Sequence, residues 1–205
     1  MKGKSILLAV CMLLMSVSLA YALPEYTVNT TTGRIGDGGP FQINGVTDPS
    51  VNFQSFCLET KEYLSLPGQY YGSIESRVYY SSGAYTASTS INVNTAKLYN
   101  YFLDNSGLSA QDKREIQLAI WMYQDQPGIV DDPTNLFFAN ASTLVASNRT
   151  IMALNLWDAN VVFPYDNQCD YSHKVQSLLI ATPEPGILLL LGIGLVGLAG
   201  LRRKE

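Results

Sequence analysis

Apolar and polar positions alternate along three stretches of the N-terminal half, and the period then lengthens. Glu25 to Thr32 alternates and predicts an opening strand. Val51 to Glu59 alternates again, with Val51, Phe53, Ser55 and Cys57 on one face. From Gln69 to Tyr80, Tyr70, Ile74, Val78 and Tyr80 oppose Ser73, Glu75 and Arg77, which predicts one long strand. Gly33 to Pro40 lacks the Gly-Lys-Ser/Thr ending of a phosphate loop and reads as a turn, and Ser81 to Asn94 reads as a polar loop. Thr95 to Asp104 carries Leu98, Tyr101 and Phe102 at helical spacing, and Gly107 ends it. Ser109 caps a second helix with Asp112 at the capping-box position. This helix runs to about Gln124, and Pro127-Gly128 closes it. Asp132-Pro133 reads as the cap and first turn of a third helix reaching about Ser147. Thr150 to Trp157 and Lys174 to Ala181 read as closing strands. Strands, then helices, then strands predict an α+β domain: a β-sandwich-like sheet with a helical insertion.

The two ends have a different pattern. Lys2 and Lys4 precede an apolar run, Ile6 to Leu19, and Ala20-Tyr21-Ala22 fits a cleavage site. Residues 1–22 therefore read as a signal peptide. Leu8-Ala9-Val10-Cys11 is a poor lipoprotein box, because Val10 is not small. At the other end Pro183-Glu184-Pro185 breaks the chain before an uncharged run, Gly186 to Leu201, and the basic residues Arg202, Arg203 and Lys204. The run is short beside the roughly 20 residues that usually span a bilayer, but the stems of Arg202 and Arg203 extend it. It reads as a single C-terminal transmembrane helix with the basic end in the cytoplasm and everything upstream outside.

Pro-Glu-Pro, an apolar span and an Arg-rich end, on a chain with an export signal, resemble the PEP-CTERM sorting domain. The resemblance covers residues 182–205. It implies an exosortase-type partner, cleavage near Pro183, Glu184 and Pro185, and an inner-membrane intermediate that passes to the cell surface or the extracellular matrix.

Between the ends, residues 23–181 make one domain. The 205-residue chain has a formal net charge of −4, so nothing electrostatic favours a nucleic-acid partner. Only 15% of residues are charged and 13 are Tyr, a composition typical of exported strands that also suits contact with sugars. Of the 3 Cys, Cys11 leaves with the signal peptide. Cys57 and Cys169 remain in an oxidising compartment, where a disulfide is the default pairing.

A second pairing competes with it. Gln117 lies on the apolar stripe of the second helix with Ile120 and Trp121, and an amide buried there needs partners. Cys57 sits in Phe56-Cys57-Leu58-Glu59 on a strand read as buried. Together the motifs resemble the thioester domains of bacterial surface proteins, in which a Cys between an aromatic and an aliphatic residue bonds to the Gln of a Thr-Gln-x-Ala-Ile/Val-Trp motif. Ile116 stands where that family has Thr, and with Thr95-Ala96-Lys97-Leu98-Tyr99 the motifs also resemble a group of PEP-CTERM proteins carrying such a domain, over Val51 to Tyr123. The thioester resemblance implies a covalent Cys57–Gln117 pair. Trp121 reads as core with or without that bond, and Glu59, which shares a strand face with Cys57, is the candidate proton acceptor. The chemistry is single-use acylation of an amine or hydroxyl on a polysaccharide or protein, without enzymatic turnover. The alternative is a non-reactive structural or glycan-binding envelope protein in which Cys57 pairs with Cys169.

Other candidates are weak. His173 is the only His and has no flanking catalytic motif. Asp131-Asp132 reads as a helix cap, and Asp158, Asp166 and Asp170 as solvated loop charge. No zinc or calcium spacing is present, so neither metal nor cofactor is expected.

Overall fold

The computed structural model describes residues 23–36, 38–82, 85–160 and 173–182. The signal-peptide and transmembrane readings, Cys169, Asp166 and Asp170 lie outside these residues. No helix among the described residues is long and apolar enough to cross a membrane.

Strands β1 (Glu25–Thr30), β2 (Phe41–Gly45), β3 (Asn52–Ser55) and β4 (Gly68–Glu75) are followed by β5 (Arg77–Ser82) and β6 (Tyr85–Ser90). Helices α1 (Val93–Asp104), α2 (Ala110–Tyr123) and α3 (Leu136–Asn140) come next, then a 3-10 turn, Ala141–Thr143. Strands β7 (Thr150–Asp158) and β8 (Lys174–Thr182) complete the domain. Six strands form one antiparallel sheet in the order β3-β2-β1-β4-β7-β8, and β5 and β6 form a separate hairpin.

The fold is mixed, as expected, but the sheet is a single curled layer rather than half of a sandwich. It curls until its two edges meet. Just beyond β3, Cys57 bridges Leu178 of β8; Leu58 N–H donates to Ser177 O at 2.9 Å, and Leu179 N–H donates to Phe56 O at 3.1 Å. Alternation identifies one buried face per strand but not what covers it. Here the sheet's own curl encloses Val28, Phe41, Ile43, Leu154, Leu156 and Leu178, while α1 and α2 cover Phe56, Leu58, Ala153 and Leu179 on the other side. Closing the edges also removes two exposed strand borders that would otherwise invite aggregation.

Four stretches differ from the pattern reading. The stretch Gln69 to Tyr80 is two strands: Glu75 still pairs with Ala153, but Arg77 already pairs with Ser90. Alternation continues through the break, so periodicity conceals it. Asn155 of β7 holds the new direction, accepting from Tyr79 N–H at 3.2 Å and donating to Arg77 O at 3.0 Å. The polar stretch from Ser81 contains β6, and Phe41–Gly45 is a strand that the pattern did not single out. The third helix is capped by Asn135, whose side chain accepts from Phe137 and Phe138 N–H, and it ends at Asn140. Asp132 instead closes a turn onto Thr134. The second helix starts as read: Ser109 and Asp112 make a reciprocal capping box.

Candidate functional site

Position 57 lies on the seam of the sheet, and the alternation of Phe56-Cys57-Leu58 directs its neighbours elsewhere. Phe56 and Leu58 join the helix-side core, while Cys57 joins the enclosed one. On α2, Ile116, Ala119 and Ile120 pack into the helix-side core, and Trp121 joins the enclosed one with Cys57. Gln117 is thereby carried to the Cys57 backbone, and both residues are almost wholly buried.

Both ends of the amide are engaged. Gln117 Oε1 accepts from Gly39 N–H at 2.8 Å and from Cys57 N–H at 3.1 Å, while Nε2 donates to Cys57 O at 2.9 Å. This network sets the amide orientation, because the reverse would put an NH2 group against two N–H donors. Cys57 Sγ lies 3.4 Å from Oε1. With a C=O bond of about 1.23 Å, the carbonyl carbon is then no more than about 4.6 Å from the sulfur. The two N–H groups hold the oxygen as an oxyanion site would, in a water-poor setting. Ile116 packs among helix-side apolar residues and brings no hydroxyl to the site, but the oxygen already has two backbone donors.

Gly39 is the functional residue that pattern reading missed. A Cβ there would stand 2.8 Å from Ser55 O, 2.9 Å from Phe56 Cα and 3.1 Å from Gln117 Oε1. A Cβ on Gly38 would stand 2.6 Å from the Trp121 ring. Two adjacent glycines before Pro40 were the available signal: they permit a backbone approach that no other residue allows.

Cys57 carries a free thiol here, and Cys169 lies outside the described residues. Burial is the main reason its pKa is pushed up to about 12. Glu59 raises it further, while the Gly39 N–H and Arg34 oppose the rise. Glu59 is itself buried and spoken for. Its Oε1 meets Lys174 Nζ at 2.9 Å, and its Oε2 accepts from Ser177 N–H at 2.8 Å and from Gln176 Nε2 at 3.3 Å. Lys174 also contacts Glu62. Among the described residues no hydrogen bond joins Glu59 to the Cys57 thiol, so the geometry makes Glu59 a clamp on β8 more directly than a proton acceptor. Trp121 walls an open pocket of about 300 Å³ together with Ile35, Glu59, Glu62, Tyr63 and Leu118.

His173 is exposed immediately before β8, Asp131 and Asp132 are exposed, and Asp158 accepts from Asn160 in a turn. No group of His, Cys, Asp and Glu that could hold a metal occurs among the described residues.

Residues 181–204 match the family model of the PEP-CTERM protein-sorting motif. The chain carries a PEP-CTERM sorting motif. It is thus an exported protein of the exosortase-sorted class, and the PEP-CTERM segment begins where β8 ends. Comparison with curated proteins and with solved structures gives no match.

Proposed function

We propose that this PEP-CTERM protein is a surface adhesin or matrix protein whose domain forms an internal thioester between Cys57 and Gln117. The observation that carries the reading is the seating of Gln117 Oε1 between two backbone N–H donors, with the Cys57 sulfur 3.4 Å away. In the forming step the Cys57 sulfur attacks Gln117 Cδ, the Sγ–Cδ bond forms, and the Cδ–Nε2 bond breaks. The thiol proton leaves with the nitrogen as ammonia. An amide is a poor electrophile, so held geometry and oxyanion donors must supply the rate. In the second step an amine or hydroxyl of a surface polysaccharide or protein attacks the same carbon. The partner becomes bonded to Gln117 and the Cys57 thiol is released. Gly186 to Leu201 would hold the chain in the membrane until exosortase cuts near Pro183–Pro185.

Intact mass tests the proposal. The purified domain is expected to be lighter than its sequence by one ammonia and to take up one methylamine. A Gln117→Ala variant must lose both properties. A full-mass domain inert to methylamine would sink the thioester. It would favour the second reading, a non-reactive envelope protein, which the three hydrogen bonds of the Gln117 amide also suit.

A further inference from the structure

Gly39 N–H, the shorter of the two bonds to Gln117 Oε1, belongs to the peptide unit whose carbonyl is that of Gly38. Because the unit is planar and trans, whatever fixes the carbonyl also aims the N–H. The Gly38 carbonyl is held by a cation: Arg34 Nε donates to it at 3.1 Å, and Arg34 Nη2 reaches Gly36 O at 3.4 Å. The guanidinium is itself fixed, with its carbon 5.3 Å from the ring centre of Phe41, which is fully buried. Gly38 N–H donates to Ile35 O at 2.8 Å and completes the fold-back of the loop.

We infer that Arg34 is the positioning residue of the oxyanion site: through the Gly38–Gly39 peptide it orients and polarises the Gly39 N–H that holds Gln117 Oε1. This rests on the thioester reading above. A charged donor at the carbonyl end of a peptide strengthens the hydrogen bond made at its N–H end. Arg34 touches neither Gln117 nor Cys57 in this arrangement, so its effect passes through Gly39. Its positive charge also lowers the Cys57 thiol pKa, against the larger effect of burial, and so favours the attacking thiolate.

The sign of one measurement separates this role from simple loop packing. Formation and consumption of a thioester pass through tetrahedral species with charge on the same oxygen. A residue that aims the donor therefore accelerates both. A residue that only packs the loop shields the bond, and its loss exposes the bond to faster attack.

The experiment compares wild type, Arg34→Gln and Arg34→Lys. Ammonia loss is followed by intact mass during cell-free synthesis, methylamine uptake is followed on the bond once formed, and thermal unfolding monitors the fold. Removing an oxyanion donor outright costs about 100- to 1,000-fold. Because Arg34 acts through the donor, Arg34→Gln is expected to slow both steps by about tenfold, with an intermediate effect in Arg34→Lys, which keeps the charge but loses the fork. Methylamine uptake in Arg34→Gln that is unchanged or faster overturns the inference while leaving the thioester standing. If Arg34→Gln does not fold or forms no bond, uptake by Arg34→Lys decides: slower than wild type supports the inference, and equal or faster overturns it. A wild-type domain that never loses ammonia overturns the thioester reading itself.

Discussion

Replacing Gly39 by Ala puts a methyl group into a space bounded mainly by backbone. Ser55 O at 2.8 Å and Phe56 Cα at 2.9 Å cannot swing aside as a side-chain tip would, and Ser55 and Phe56 are both fully buried. The loop must retreat by about half an ångström or more. That lengthens the 2.8 Å bond from Gly39 N–H to Gln117 Oε1 toward the weak limit of hydrogen-bond geometry. Two costs follow. Overpacking of this kind destabilises by about 1–3 kcal/mol. Loss of one of two oxyanion donors slows the forming step by about a hundredfold. Gly107→Ala is the comparator, because nothing lies within 4 Å of the Cβ it would add. The assay pairs urea unfolding with a mass time course of ammonia loss in newly synthesised protein. A Gly39→Ala domain that matches wild type in midpoint and in rate refutes the argument that this close approach governs the site.

Lys174→Met leaves Glu59 buried without its cation. Breaking a buried pair in this way is expected to cost about 3–5 kcal/mol in urea unfolding, and an unchanged midpoint would show that the clamp on β8 contributes little. In protein whose Cys57 is free, the thiol pKa of about 12 leaves little thiolate at pH 8, so iodoacetamide should modify the folded state about a thousandfold more slowly than the urea-unfolded chain. The folded thiol holds its proton more tightly than the unfolded one. Its contribution to stability is therefore full below about pH 8.5 and lost as pH rises toward 12, and an equal alkylation rate in both states would contradict that burial.

Local signals carried the helical half of the chain well. The Ser109–Asp112 capping box involves residues three apart, and the structure keeps it. Asp132 precedes a Pro, a sequence that suits a turn as well as a cap, and Asn135 makes the cap instead. The sheet was only partly legible. Which strand follows β4 depends on Asn155, far away in sequence, and closure depends on Cys57 meeting Leu178. No periodicity reports such distant partners. The site divides the same way. Cys57 and Gln117 were readable as motif residues, but the Gly39 donor and the Lys174 partner of Glu59 come from segments whose local pattern marks only a turn and a strand start.

The seam beside Cys57 also sets an order of events. A chain exported N-terminus first delivers Gly39, Cys57 and Gln117 well before Ser177, Leu178 and Leu179, whose backbone closes the edge on which Cys57 sits. Until β8 emerges, that edge is open to water and the sulfur has no enclosed side. The pair is completed by the last strand, just ahead of the sorting motif that starts at residue 181. On the thioester reading, the proposed Cys57–Gln117 pair and the address segment are thereby completed nearly together, and a chain interrupted upstream of β8 would reach the envelope with the edge at Cys57 still open.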